Sequence, residues 1–272
     1  MVFSFLLCIF AFRKFKHTKF MRYQGSKRSI AKHIKVLIEN NLLEGQPYVE
    51  PFGGGMNSFS LIESDFKVAL DINPYVISMW MDVKYGSFKA PRSLTQEEYE
   101  DMKTDCLNRT GKYKPSLLGY VGNACSYGGG WWNGYAKYNP KKNEDHILEA
   151  ANGFEKHIRE FKNLRGSFFV HSDYRSYRYC PESFIYCDPP YAETKKYNKN
   201  GFDNEAFWEW CRQMVKDGHK VMVSEYTAPS DFICIWQKER KDGMGTTCSG
   251  GKQNTKIEKV FVHQSQIKNF KF

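Results

Sequence analysis

The segment Phe184-Ile185-Tyr186-Cys187-Asp188-Pro189-Pro190-Tyr191 constrains this chain more than any other. Its apolar run reads as a buried strand, and the acid and prolines that follow end that strand in a rigid loop. Neither proline can donate a backbone N–H, both fix φ, and each drives the residue before it into an extended conformation. Asp188 and Pro189 are thereby held straight out beyond a sheet. Three groups become fixed: the Asp188 carboxylate, the Pro189 carbonyl oxygen and the Tyr191 ring. Two acceptors beside one aromatic face suit a planar exocyclic amine such as that of adenine or cytosine. The oxygens take its two N–H bonds while the ring stacks on the base. An isolated Asp-Pro-Pro is more often a stiff turn alone, so the reading depends on the rest of the chain.

Upstream, Tyr48-Val49-Glu50-Pro51-Phe52-Gly53-Gly54-Gly55-Met56 is a short strand entering a glycine turn, with an apolar helix expected through Phe59, Leu61 and Ile62. Glycines there let the backbone approach a ligand at the carboxyl end of a strand. The pattern is neither the Gly-x-Gly-x-x-Gly dinucleotide fingerprint nor a phosphate loop ending in Gly-Lys-Ser/Thr. Val68-Ala69-Leu70-Asp71 is a second strand, ending in a carboxylate where α/β folds hydrogen-bond ribose hydroxyls. Together these elements describe a nucleoside site without a pyrophosphate. Before them, Tyr23-Gln24-Gly25-Ser26-Lys27 precedes a helix whose Ile30, Ile34, Leu37 and Ile38 share one face, with Ser26 as N-cap.

The same rhythm resumes later. Phe168-Phe169-Val170 ends at His171-Ser172-Asp173, with Asp173 placed to accept from a cofactor adenine amine. A helix from Asn204 to Lys216, stopped by Gly218, leads to the strand Val221-Met222-Val223-Ser224, and strands follow at Phe232 to Trp236 and Ile257 to Val262. Alternating strands and helices predict an α/β fold.

Between the two halves, residues 85–164 change character. A charged run from Thr95 to Lys103 is followed by Gly119 to Tyr135, so rich in glycine and aromatics that it reads as a hairpin or folded loop. Tyr127, Trp131, Trp132, Asn133 and Tyr135, set among Lys112, Lys114, Lys137, Lys141 and Lys142, fit contacts to unstacked bases and phosphates. The competing reading is packing of these aromatics against the main domain. A helix from Glu144 to Lys162 closes the insertion.

Composition narrows the function classes. The chain has 272 residues and a formal net charge of +10, which favours a polyanionic partner. Its eight cysteines form no Cys-x-x-Cys pair and its histidines are scattered, so no metal site is assigned and reduced thiols in a cytoplasm are expected. Within residues 1–20, Arg13, Lys14, Lys16 and Lys19 follow the apolar run, the wrong order for a secretory signal. The run is too short for a membrane span. Residues 1–20 are expected to be a disordered extension or a misassigned start, with Met21 the more natural beginning.

From Met21 onward the chain resembles the Dam-like DNA adenine N6-methyltransferases, particularly their phage-borne branch. Tyr23-Gln24-Gly25-Ser26-Lys27 is similar to the family's aromatic-x-Gly-x-Lys motif, Glu50 to Gly55 to its Glu-Pro-Phe glycine motif, Asp71-Ile72-Asn73 to its Asp-Ile-Asn, and Asp188 to Tyr191 to its catalytic tetrapeptide. Tyr23 departs from the family's frequent Trp, and the last glycine of the glycine motif is shifted to Gly55.

The resemblance implies a Rossmann-like S-adenosylmethionine-dependent methyltransferase sheet over residues 21–84 and 165–272, with a target-recognition insertion at 85–164. It implies Asp188, Pro189 and Tyr191 as catalytic, and Tyr23, Lys27, Glu50, Phe52, Gly53, Gly55, Asp71, Ile72, Asp173 and Asp188 around the cofactor. The expected partners are double-stranded DNA and, for a modification enzyme, a cognate restriction enzyme. The expected state is a monomer in the bacterial host cytoplasm. A cytosine N4-methyltransferase, a non-catalytic DNA-binding protein on a degenerate methyltransferase fold and a protein-glutamine methyltransferase are the alternatives. The leading Asp of the tetrapeptide and the motif order favour adenine.

Overall fold

A computed structural model of the chain describes residues 21–191, 201–241 and 255–271. The expectations for residues 1–20, and for the loop rich in Gly, Thr and Lys before the last strand, lie outside the described residues. Seven strands form one sheet: β1 (Tyr48–Glu50), β2 (Lys67–Asp71), β3 (Ser167–His171), β4 (Phe184–Cys187), β5 (Lys220–Glu225), β6 (Phe232–Lys241) and β7 (Thr255–His263). Their order is β3-β2-β1-β4-β5-β7-β6. β1 to β5 pair in parallel, while β7 runs antiparallel to both β5 and β6. Every residue of β1, β2 and β4 is buried, as expected for parallel strands covered on both faces.

The helices are α1 (Ala31–Glu39), α2 (Pro74–Lys84), α3 (Gln96–Asn108), α4 (Pro115–Ala124), α5 (His146–Glu160) and α6 (Asn204–Lys216). α1 buries Ala31, Ile34, Leu37 and Ile38, the face its periodicity sets. Local chemistry fixes the starts of the others. Asn73 caps α2 ahead of Pro74, Thr95 and Glu98 form a reciprocal capping box on α3, and Asp145 and Asp203 cap α5 and α6.

Two elements differ from expectation. The apolar helix through Phe59, Leu61 and Ile62 is a single 3-10 turn, Phe59–Leu61. The buried Lys67 ammonium donates to the carbonyls of Phe59 (3.1 Å) and Ile62 (2.8 Å), which a continuing helix would have given to its own N–H groups. Conversely, the first part of the glycine- and aromatic-rich stretch is α4, and the folded loop begins only at Ser126, whose bridge to Tyr135 closes it. The glycines of α4 permit close packing. A Cβ on Gly119 would stand 2.1 Å from the Tyr75 carbonyl oxygen of α2, and one on Gly122 would meet the Trp131 ring at 2.6 Å.

The helices of residues 85–164 bury Tyr99, Met102, Tyr120, Val121, Ile147 and Phe154 in the same cluster as Tyr48, Trp80 and Phe169. A second cluster, with Ile185, Cys187, Phe207, Cys211 and Val221, lies between the sheet and α6. Strand order reverses between β1 and β4, and in open α/β sheets ligands bind beyond the carboxyl ends of the strands at such a reversal. β1 leads into the glycine turn, and β4 leads into Asp188.

Candidate active site

At the reversal the chain assembles a buried ionic cluster from three distant segments. Ser26 accepts the Arg28 N–H (3.2 Å) and starts the 3-10 turn Lys27–Ser29, which carries Lys27 inward to 3% exposure. Lys27 Nζ stands 2.7 Å from Asp188 Oδ1, 3.8 Å from Glu258 Oε2 and 4.1 Å from the centroid of the Tyr191 ring. The Tyr191 hydroxyl donates to Glu258 Oε2 at 3.0 Å. Burial raises the pKa of Asp188, the Lys27 ammonium opposes that shift, and the Glu258 charge adds to it.

The glycine turn joins this cluster to the end of β2. Gly53 N–H donates to the Leu70 carbonyl (2.7 Å) and Gly54 N–H to Asp71 Oδ2 (2.8 Å), while Asn73 N–H takes Asp71 Oδ1 (2.8 Å). Gly54 has φ +49°, and a Cβ there would lie 2.8 Å from the Tyr23 ring; one on Gly55 would lie 2.8 Å from Tyr23 Cβ. Tyr23 is thus laid against bare backbone, which is why this turn requires glycine. Asn57 donates to Ser26 Oγ (2.7 Å), yet among the described residues its buried Oδ1 has no hydrogen-bond partner. Beyond Asp71, Ile72 is 70% exposed.

Tyr23, Lys27, Gly53, Gly55, Asp71, Ile72, Asp188, Pro189 and Tyr191 therefore belong to connected segments around the β1/β4 reversal. Other residues expected around the cofactor have protein partners of their own. Glu50 accepts from the Tyr48 hydroxyl (2.5 Å) and the Ser58 hydroxyl (2.9 Å), and burial pushes its carboxyl up to about 8. These two bonds tie it to β1 and to the segment after the glycine turn. Phe52 packs its ring on Tyr174 and Phe207 in the α6 cluster. Both oxygens of Asp173 are taken by the Arg175 guanidinium at 2.9 Å, which holds that carboxyl below its usual range. Tyr191 is 8% exposed, with Lys27 over its ring and the edge of Tyr226 at 4.5 Å, so its face is covered in this arrangement.

The residues expected to bind DNA divide. Tyr127 (65% exposed), Trp131 (38%), Asn133, Lys114 and Lys137 lie at the surface. Lys112 is also exposed, but pairs with Asp101 at 2.5 Å. Trp132 is buried against Tyr99, and Tyr135 is half-buried with its hydroxyl on the Leu94 carbonyl. Both of these contacts are made within residues 85–164. The loop itself docks on the first motif: Gln24 N–H donates to the Gly129 carbonyl at 2.9 Å.

Sequence reasoning missed Glu258. Along β7, Glu258, Val260 and Val262 are all buried. An acid where the alternation demands an apolar residue was the signal available.

The model of the D12 class N6 adenine-specific DNA methyltransferases matches residues 23–114. The type II methyltransferase M.MjaIII of Methanocaldococcus jannaschii is 25% identical over 256 residues, covering 75% of this chain and 83% of that protein. A DNA adenine methylase of Haemophilus influenzae is 25% identical over 236 residues, covering 78% of this chain and 77% of its own length. Among solved structures, that of SMU.472 complexed with SAH aligns over 89% of this chain at 13% identity and a TM-score of 0.32; the chain spans about half (54%) of its length.

Proposed function

We propose that this chain is a D12 class N6 adenine-specific DNA methyltransferase, the family whose model matches residues 23–114, and that Asp188 and the Pro189 carbonyl hold the amine of a flipped-out adenine in double-stranded DNA during methyl transfer to N6. The observation that carries this reading is the buried Lys27–Asp188 contact at the β1/β4 reversal. S-adenosylmethionine supplies the electrophilic methyl group on a sulfonium. The residues present suit such a ligand. Asp71 and Asp188 offer carboxylates to a cationic, hydroxyl-bearing molecule, Asn57 Oδ1, which has no hydrogen-bond partner among the described residues, is a further acceptor, and exposed Ile72 offers an apolar contact. Tyr23, Lys27, Asp71 and Asp188 are the residues assigned to hold it.

An adenine amine is a weak nucleophile and unreachable inside a duplex, so the base must leave the stack. Asp188 and the Pro189 carbonyl then accept its two N–H bonds, draw the nitrogen toward tetrahedral geometry and aim its lone pair at the methyl group. Holding both reactants in line lowers the barrier by about 7–11 kcal/mol at most, and the Asp188 charge stabilises the developing positive nitrogen. Asp188 works ionised, and Lys27 beside it favours that state against the cost of burial. Tyr191 contributes a face to the base once Lys27 shifts from above the ring.

Residues 85–164 are assigned to target recognition through the exposed Tyr127, Trp131, Asn133, Lys114 and Lys137. The net charge of +10 supports a DNA partner. Among the described residues no helix is long and apolar enough to cross a membrane. A monomer in a bacterial cytoplasm, paired with a restriction enzyme, completes the reading.

The test is incubation of purified protein with unmethylated DNA and methyl-labelled S-adenosylmethionine, followed by nucleoside digestion and mass spectrometry. Label is expected in N6-methyladenosine, and Asp188→Ala is expected to abolish it with folding retained. Label in N4-methylcytosine would move the target to cytosine. An active, folded Asp188→Ala protein would overturn the mechanism.

A further inference from the structure

The single ammonium of Lys27 lies between two carboxylates, close to one and within reach of the other. Its Nζ is 2.7 Å from Asp188 Oδ1 and 3.8 Å from Glu258 Oε2, with side-chain exposures of 3%, 20% and 2% respectively. On the function proposed above, Asp188 has to offer an oxygen to the incoming amine. The ammonium at Oδ1 is a stronger donor than a neutral aryl amine and competes for that oxygen. If it simply left, a cation would be stranded in a buried site, which is costly. Glu258 removes that obstacle. It is fixed in β7 by pairing with Lys238 of β6, and its Oε2 also receives the Tyr191 hydroxyl.

We propose that Glu258 is a positioning residue for methyl transfer: it is the alternative counter-ion that takes up the Lys27 ammonium when the target amine engages Asp188. The exchange involves no covalent step and needs only rotation of the Lys27 chain. Because the ammonium also covers the Tyr191 ring, the same rotation bears on the face assigned to the base. The groups acting on Asp188 are Lys27 from the first turn, Glu50 from β1, Tyr186 and Cys187 from β4, Tyr191 from the loop and Glu258 from β7, and the buried Glu225 of β5 acts on Tyr191 beside them.

The experiment compares wild type with Glu258→Gln, which keeps shape and a hydrogen-bond acceptor for Tyr191 but lacks the charge. Four quantities are read in the full chain: thermal midpoint, S-adenosylmethionine affinity by calorimetry, single-turnover methylation of DNA, and its pH profile. Folding and cofactor affinity should be retained while the single-turnover rate falls by about tenfold to a hundredfold, the worth of a charge-assisted contact. The acid limb of the rate should move to lower pH, because losing the Glu258 charge lets Asp188 ionise more readily. An unchanged rate, or a loss that merely follows lost folding or cofactor affinity with the acid limb in place, overturns the proposal. Should Glu258→Gln fail to fold, Glu258→Asp serves, since its shorter arm withdraws the carboxylate from Lys27. A slower rate with intact cofactor affinity is then expected, and a wild-type rate refutes the role. A wild type that methylates no adenine sinks the assignment of function, whereas a methylating wild type with an indifferent Glu258 sinks this inference alone.

Discussion

Glu50 shows how burial turns a motif carboxylate into a proton holder. Its oxygens are spent on Tyr48 and Ser58, and its carboxyl, ordinarily at 4.5, is pushed up to about 8 by burial. Folded Glu50 therefore binds its proton more tightly than the unfolded chain does. The folded state holds more protons across that window, and stability falls as pH rises from about 4.5 toward 8. Lys67, brought down to about 7 by burial, works in the opposite sense, since its neutral form is the one favoured in the fold. Comparison with Glu50→Gln isolates the carboxyl. Thermal midpoints measured from about pH 5 to about pH 9 should decline less steeply in Glu50→Gln than in wild type, and parallel curves would show that Glu50 does not titrate in this window. At the same scale, Asp173 and Tyr191 were identified from the sequence as acceptor and aromatic platform. Arg175, two residues on, fills the first as a local pair, whereas sequence separation gave no warning that Lys27 would cover the second, since that partner is chosen by tertiary side-chain direction.

α4 was illegible because two rules conflicted. Glycine is a poor helix former, by about 1 kcal/mol relative to alanine, and Gly119 and Gly122 fall inside this helix. Tertiary contact reversed the preference: without side chains, these positions admit α2 and the tryptophan rings closer than any other residue allows. Gly119→Ala should accordingly lower the thermal midpoint, despite its gain in intrinsic propensity. The added Cβ collides with backbone, the Tyr75 carbonyl, and overpacking of this kind costs about 1–3 kcal/mol. A stabilised Gly119→Ala protein would mean that α2 and α4 separate freely. By contrast, α1 and α6 were legible with their buried faces and caps, since one amphipathic stripe and one local capping side chain suffice to specify them.

Across the whole molecule, the positive charge and the docked loop act together. The loop of residues 126–135 is tied to Gln24, so the exposed Tyr127 and Trp131 border the motif that leads into Lys27. DNA bound there should show an affinity falling linearly with the logarithm of salt concentration. Lys114→Ala and Lys137→Ala should each weaken binding evenly across DNA sequences and reduce the salt slope by about 1. Lys112, already paired with Asp101, should matter less. A binding constant indifferent to salt and to these substitutions would take the insertion out of the interface.

The sequence by itself determined the strands, the glycine turn, the capped helices and the rigid Asp188-Pro189-Pro190 exit, because each follows from local sterics, periodicity or a neighbouring hydrogen bond. It also marked Lys27 and Asp188 as site residues, though not that they touch. Tertiary structure alone decided that contact, the burial of Trp132, the burial of Glu50 beside Ser58, and the arrival of Glu258 beside Tyr191. Those outcomes depend on which strands become neighbours and which way buried side chains point. Both are settled only when the sheet reverses between β1 and β4 and β7 enters it antiparallel.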